Sequence, residues 1–447
     1  MHALKSTFDT SVALEIKQIP LSQLNPLGRQ IRKYDKRQSK KLQHSLKTYG
    51  CVLPIVVDQK SQVVGGWALA SAAKALGWDA LPCVRIDHLS EEQLRALRIA
   101  LNRLGEESEW DLPALKLEIT ELISVDSQFD ITFTGFEMGE VDVMLCDLDS
   151  DEESPPPVLD PQEPIVSRSN DLFMLGENRI LCADARDKNN YHALLNGEPV
   201  QMVITDPPFN VPIRGHVSGN GRVQHKEFAM ASGELSATEF LEFLLTVCRA
   251  MVEVSREGAL HYLFMDWRHM HLLLNATQDI YASLHNLCVW VKSNGGMGSF
   301  YRSRHELVFV FKVGTSSHIN NVELGRMGRY RTNVWEYAGC SSFGPDREAL
   351  LALHPTVKPK QLVADAILDA SNRGGAILDP FLGSGTTIIA CEEIGRRGFG
   401  MELDPMYVDI AIQRWQEATQ QDAIHESSGL AFHAIAQQRK ENSDDNS

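Results

Sequence analysis

Apolar positions along this chain fall into two blocks separated by an acidic, proline-rich interval. In the first block, IVV at 55–57 and VV at 63–64 read as short strands. The small and apolar residues of 68–77 suit a packed helix that Gly77 ends. This predicts a small α+β unit over residues 1–112, followed by a helical connector over 113–140. In the second block, strand-length runs stand before Asp206 (MVIT), at 261 (HYLFM), 287 (LCVWV), 307 (LVFVF), 376 (AILD) and 398 (GFGME). Most are apolar throughout, the mark of strands buried on both faces. Helix-length segments separate them. One of these, 236–251, begins with Ser236 as N-cap and Glu239 three residues later, a capping box. Alternating strands and helices predict an α/β unit over 166–420, a Rossmann-like, largely parallel sheet with helices on both faces.

Charge sharpens the division. Residues 141–165 carry eight acids, no base and a proline triplet, and read as a semi-stiff linker; an acidic segment that mimics DNA and screens a basic cleft is the alternative. Residues 281–360 carry ten bases against five acids, although the whole chain of 447 residues has a formal net charge of −16. A polyanion is thus a reasonable ligand for one region of an acidic protein. The end of the chain, 421–447, is polar and reads as partly disordered.

With 43% hydrophobic and 23% charged residues the composition is that of a globular chain. No run approaches the ~20 apolar residues that a bilayer span needs, and an apolar signal segment is absent, so no membrane role is expected. The eight cysteines are never closer than 32 positions, which excludes CxxC zinc spacing and suits reduced thiols in a cytoplasm. No metal is expected.

Two segments carry candidate chemistry. In 376–405 an apolar strand ends at Asp379, a glycine loop with Gly383 and Gly385 turns the chain, and Thr386 and Thr387 open a helix; a second strand ends at Glu402, 23 residues after Asp379. That offset is near the ~20 residues at which an acid meets ribose hydroxyls in nucleotide-binding βαβ units. Thr386 follows Gly385 directly, so the lysine of a phosphate-binding P-loop is missing and ATP hydrolysis is disfavoured. In 201–211 an apolar strand runs into Asp206, Pro207, Pro208, Phe209 and Asn210. The prolines stiffen the loop at the sheet rim where open parallel sheets bind ligands. A bare rigid turn is the plain reading. The chemical reading is that Asp206 and the Pro207 carbonyl accept the two N–H bonds of an exocyclic amine, localising a lone pair otherwise delocalised into a ring, while Phe209 stacks on the base.

DPPFN at 206–210, DPFLGSGTT at 379–387 and HPTVKP at 354–359 resemble the catalytic, cofactor and tenth motifs of S-adenosylmethionine-dependent amino-methyltransferases of DNA. Further similarity lies in LCADARD at 181–187, in 289–312 and in 401–415, so the resemblance spans about 170–418. The catalytic motif precedes the cofactor motif, as in the β arrangement of that family, in which the target-recognition region lies between them. Residues 314–353 are the candidate for it. The resemblance implies S-adenosylmethionine as cofactor, with Asp379, Phe381, Gly383 and Gly385 around its methionine part and Glu402 on the ribose. Thr356 and Lys358 would wall the same pocket, with Asp184 a further contributor. It implies Asp206, Pro207, Pro208 and Phe209 as the target-base pocket, and Asp as first residue favours adenine N6 over cytosine N4. The implied partner is double-stranded DNA in a bacterial or phage context of the restriction-modification kind, and a homodimer is compatible with it.

A duplex must present its base outside the stack, which calls for basic and aromatic residues. Arg302, Arg304, Arg326, Arg329 and Arg331 are the candidate phosphate contacts. The N-terminal unit resembles the ParB-like domain over about 15–111, but Gly66-Trp67-Ala68-Leu69 stands where that family has Gly-His-x-Arg. The imidazole and guanidinium that could hold phosphates are absent there, so a DNA-docking or protein-interaction module is preferred to nucleotide binding. A competing reading of the whole chain is a partition-type binding protein whose methyltransferase half is only a scaffold.

Overall fold

The computed structural model describes residues 15–125, 131–146, 164–210, 233–293, 295, 300–326, 328–338 and 358–444. The chain divides into two units, Met1–Leu145 and Cys146–Ser447. Among the described residues no helix is long and apolar enough to cross a membrane.

The first unit holds five strands, β1 (Ile16–Pro20), β2 (Asn25–Pro26), β3 (Ile55–Val57), β4 (Gln62–Gly65) and β5 (Ala80–Arg85), in the order β1-β5-β3-β4-β2. The helices Lys36–Tyr49 and Trp67–Ala75 cover a core of Ile19, Leu46, Ile55, Val57, Ala73 and Leu81. Gly66 precedes the second helix at φ +94°, where a side chain would meet Ile55, and Trp67 packs its ring on the core. The Gly-Trp pair therefore docks a helix. Helices Leu112–Val125 and Met138–Leu145, with Ile131–Thr134 between them, share a separate small core of Ile119, Ile131 and Val141.

The second unit holds a ten-stranded sheet. Its strands are β6 (Leu172–Leu175), β7 (Asn178–Cys182), β8 (Val200–Thr205), β9 (Ser255–Met265), β10 (Ser283–Val291), β11 (His305–Lys312), β12 (Val334–Glu336), β13 (Ala376–Asp379), β14 (Arg397–Glu402) and β15 (Ile424–His425). The order is β12-β10-β11-β9-β8-β13-β14-β7-β6-β15, and β9-β8-β13-β14-β7 run parallel. Alternation decides which face each side chain joins. Val203, Leu263 and Leu378 meet the helices Lys188–Leu195, Ala237–Glu253 and Met270–Thr277. Ile204, Tyr262 and Ile377 meet the helix Lys360–Ala370 on the opposite face, so helices cover both sides. The capping box at Ser236 forms: Glu239 N–H donates to Ser236 Oγ (3.3 Å) and Ser236 N–H donates to Glu239 Oε2 (2.8 Å).

One order of strands matters for everything below. β7 leads in sequence to β8, yet β13 and β14, which come much later, lie between them. The strand order thus reverses at β8 and β13, a switch point at whose carboxyl rim open α/β sheets bind ligands.

The tail departs from its expected disorder. Beyond residue 420 the chain forms β15 and a helix, Phe432–Asp444, whose Phe432 packs with Phe173 and Trp415. The Arg439 guanidinium donates to the Val166 carbonyl (2.5 Å) and pairs with Asp171. The segment is short of apolar residues because two of them, Phe432 and Ile435, and one long stem do the docking. Much of 141–165 lies outside the described residues.

Trp415, fully buried on the helix Pro405–Thr419, donates its indole N–H to Glu392 (3.0 Å) and fills the core beneath that tail. Trp415→Ala is expected to cost about 3–5 kcal/mol, read as a lowered denaturant midpoint of the full chain.

Candidate active site

The site is assembled where the loops after β8 and β13 meet. Burial and hydrogen bonds make Asp379 the joint between them. Thr205 Oγ1 donates to its Oδ1 (2.7 Å), Thr387 Oγ1 donates to its Oδ2 (2.5 Å), and the Phe381 N–H donates to Oδ1 (3.2 Å). With these donors supplied by the protein, Asp379 is a clamp that sets the glycine loop against β8. Burial nevertheless pushes its carboxyl upward against the pull of Thr387 and Thr205.

The glycines are required by the turn. Gly383 takes φ +55° and donates its N–H to Glu402 Oε2 (2.8 Å). Gly385 takes φ +86°, and a Cβ there would lie 2.7 Å from Ala411 Cβ on the helix Pro405–Thr419. Only glycine permits both the backbone and the close approach. Buried Arg414 on that helix ties the turn down through the Ser384 carbonyl (2.6 Å) and hydroxyl (3.1 Å). Glu402, at the end of β14, also accepts from the Asp404 N–H (2.9 Å); burial pushes its carboxyl up to about 7. Each of its oxygens keeps acceptor capacity beyond its one backbone bond.

Across the switch point, Asp206 follows β8. Its Oδ2 is bound by the Lys358 ammonium, while Oδ1 is buried without a hydrogen-bond partner among the described residues. Burial pushes the Asp206 carboxyl up to about 6, with Lys358 opposing and Glu306 adding to the rise. Phe209 packs at the seam of the two core layers. Asn210, at φ +56°, donates to the Leu235 carbonyl (2.7 Å) and accepts from the Gly233 (3.0 Å) and Leu235 (3.2 Å) N–H groups. It thereby ties 210 to 233–235. A small void in the apolar core, between the sheet and the helices Ala237–Glu253 and Met270–Thr277, is lined by Phe243, Leu244, Met251 and Leu273 and reaches Thr205, Pro207 and Phe381.

Several expected residues stand elsewhere. Lys358 binds Asp206, in the target-base half of the site. Thr356 lies outside the described residues, as do residues 339–353 of the recognition candidate. Asp184 is engaged by its own neighbour: the Arg186 guanidinium holds it bidentately (2.6 and 3.1 Å) and keeps its carboxyl below the usual range despite burial.

Arg329 and Arg331 are corrected. Both are turned inward against the helix Lys360–Ala370. Arg329 donates to Asp365 Oδ1 (2.9 Å) and Asp369 Oδ1 (2.9 Å), and Arg331 to Asp369 Oδ2 (3.1 Å) and the Tyr337 hydroxyl (2.6 Å). Two buried carboxylates need two cations, so these arginines are structural and unavailable to phosphates. Arg302, Arg304 and Arg326 are exposed, beside Phe300, Tyr301 and Tyr330, which are more than 80% exposed. Exposed Trp267, just past β9 with the Arg268 guanidinium 4.9 Å from its ring centroid, escaped the sequence reading. So did Thr205 and Glu306. Glu306 had one signal, a lone acid opening an otherwise apolar strand in a basic region.

Compared with known proteins, residues 200–413 match the DNA methylase family model, 113–169 the ParB-methyltransferase HTH domain, and 6–102 the ParB N-terminal domain. The stretch read as connector and linker thus coincides largely with the HTH match. The chain is 26% identical over 254 residues to the type II methyltransferase M.HpaI of Haemophilus parainfluenzae, covering 53% of this chain and 74% of that one. To M.HinfI of Haemophilus influenzae it is 24% identical over 263 residues, covering 54% and 68%. Among solved structures, the PvuII DNA methyltransferase (cytosine-N4-specific) aligns with a TM-score of 0.42 at 14% identity, over 62% of this chain and 94% of that one.

Arg331→Ala is expected to cost about 1–3 kcal/mol of stability, because buried Asp369 Oδ2 loses its donor while Arg329 still holds Oδ1, whereas Arg302→Ala should leave the unfolding midpoint nearly unchanged. Chemical denaturation of the two variants side by side checks this.

Proposed function

Because this chain belongs to the DNA methylases, with ParB N-terminal and ParB-methyltransferase HTH domains ahead of its methylase domain, we propose that it transfers a methyl group from S-adenosylmethionine to the N6 amine of adenine in double-stranded DNA. The observation that carries this is the buried, unpartnered Oδ1 of Asp206 on a loop clamped through Thr205 to the glycine turn.

The residues fit such a cofactor. Gly383 turns the chain with its N–H on Glu402 Oε2, and Glu402, at the end of β14, presents a carboxylate to vicinal ribose hydroxyls. Phe381, in the loop that follows β13, would contact the methionine part. When bound, the cofactor supplies a methyl group activated on a sulfonium. The protein's work is alignment. Asp206 Oδ1 and the Pro207 carbonyl accept the two N–H bonds of the target amine, so its lone pair localises and points along the attack direction. Phe209, held at the seam of two core layers, stacks on the base. The proline pair and the Asn210 bonds keep the loop from relaxing.

DNA engagement falls to the exposed set: Arg302, Arg304, Arg326 and Arg268 for phosphates, and Phe300, Tyr301, Tyr330 and Trp267 to support an extruded base. The ParB-type and HTH domains add a second docking element for the duplex. Asp as first residue of the tetrapeptide favours adenine. The reading places the enzyme with its DNA in a bacterial cytoplasm.

Incubation with labelled S-adenosylmethionine and mixed-sequence duplex, followed by digestion to nucleosides, is expected to yield N6-methyladenine. N4-methylcytosine would reassign the base, and no labelled nucleoside would reject the reading. Asp206→Ala is expected to lower transfer about 10²-fold or more while cofactor affinity stays within a few-fold by equilibrium dialysis. A second expectation concerns pH. Glu402 is raised to about 7, so its carboxylate form is present above that value and lost below it. Cofactor affinity should therefore fall as pH drops through about 7, and Glu402→Gln should remove that dependence.

A further inference from the structure

A row of alternating charges crosses four neighbouring strands at the rim of the sheet and ends on Asp206. Lys292, just past β10, donates its ammonium to Glu306 Oε1 at the start of β11. Glu306 Oε2 lies 3.4 Å from Lys358 Nζ. Lys358 in turn binds Asp206 Oδ2, past the end of β8, with its ammonium 5.0 Å from the centroid of the Phe264 ring on β9. The ammonium of Lys358 is thus enclosed by two carboxylates and an aromatic face, and its side chain is only 9% exposed. An ammonium is strongly hydrated, so burying one demands a purpose-built set of partners. Of the Asp206 oxygens, one is consumed by this row and the other has no partner among the described residues.

We infer that Lys358 and Glu306 are positioning residues of the transfer site: Lys358 pins Asp206 by one oxygen and leaves the other as the acceptor for the target amine, and Glu306 holds Lys358 in that seat. This rests on the reading that the site methylates an amine. The row orders the carboxylate before the base arrives. It also sets the charge of Asp206, and the ionised carboxylate is the stronger acceptor for an N–H donor. The charged groups facing Asp206 are Lys358, which favours its carboxylate, and Glu306 and Asp379, which oppose it; Lys292 stands one step farther along.

The two neighbours therefore act on the Asp206 charge with opposite sign. Lys358→Met should move the acid limb of kcat/KM upward by about one pH unit or more, and Lys358→Arg should restore it. Glu306→Gln should move the limb downward. The limb is read from pH 5 to 9 with the full chain, saturating labelled S-adenosylmethionine and varied mixed-sequence duplex, so that the titration of Glu402 does not enter it. Cofactor affinity, measured by equilibrium dialysis, should stay within about twofold in each variant. Titration of the Asp206 carboxyl carbon by NMR, assigned by its loss in Asp206→Asn, reads the same shifts without any turnover. Shifts of opposite sign in that titration support the inference. Shifts of the same sign, no shift, or a defect confined to cofactor affinity would overturn it. A wild-type chain that transfers no methyl group rejects the functional reading instead, and the NMR titration still decides the role of the row.

Discussion

The bonds that Asp379 accepts from Thr205 and Thr387 are the constraint on which this site depends. Thr205 ends β8 and Thr387 opens the helix after the glycine turn. The loop that would handle the target base and the loop that would handle the methyl donor thereby share one buried carboxylate. Neither loop can shift without breaking a bond in the interior, where an unpaired charge costs several kcal/mol. Positioning accurate enough for direct transfer between two bound molecules follows from that shared joint.

Buried charge is used twice in this unit, for different ends. Arg329, Arg331, Asp365 and Asp369 form a set whose acceptors and donors largely satisfy one another, and they fix a strand-like segment to the helix Lys360–Ala370. The row from Lys292 to Asp206 is left incomplete at its end: Asp206 Oδ1 is buried without a hydrogen-bond partner among the described residues. An unsatisfied buried acceptor is costly in an idle structure. At a rim where an amine has to be held, it is the feature that a donor completes.

In the N-terminal unit a turn is fixed by geometry. Gly66 makes the left-handed turn into the helix Trp67–Ala75, because the backbone there requires positive φ next to Ile55. Trp67, the position after it, packs on the core.

Local order was legible from the chain alone. The apolar runs announced β8, β9, β11, β13 and β14, the Ser236–Glu239 pair announced its helix, and the glycines of 383–385 and the stiff loop after Thr205 marked the two chemical segments. These are short-range features, set by periodicity, caps and backbone sterics. What only the tertiary structure decided is which distant residues meet. Lys358 stands 152 positions from Asp206 and binds it, and Arg329 and Arg331 turn from a basic surface stretch into a buried helix contact. Composition reports that a cation is present. Whether that cation meets a phosphate, a structural aspartate or the acceptor carboxylate is settled by the order of strands in the sheet, because that order determines which carboxylates are left in the interior to be neutralised.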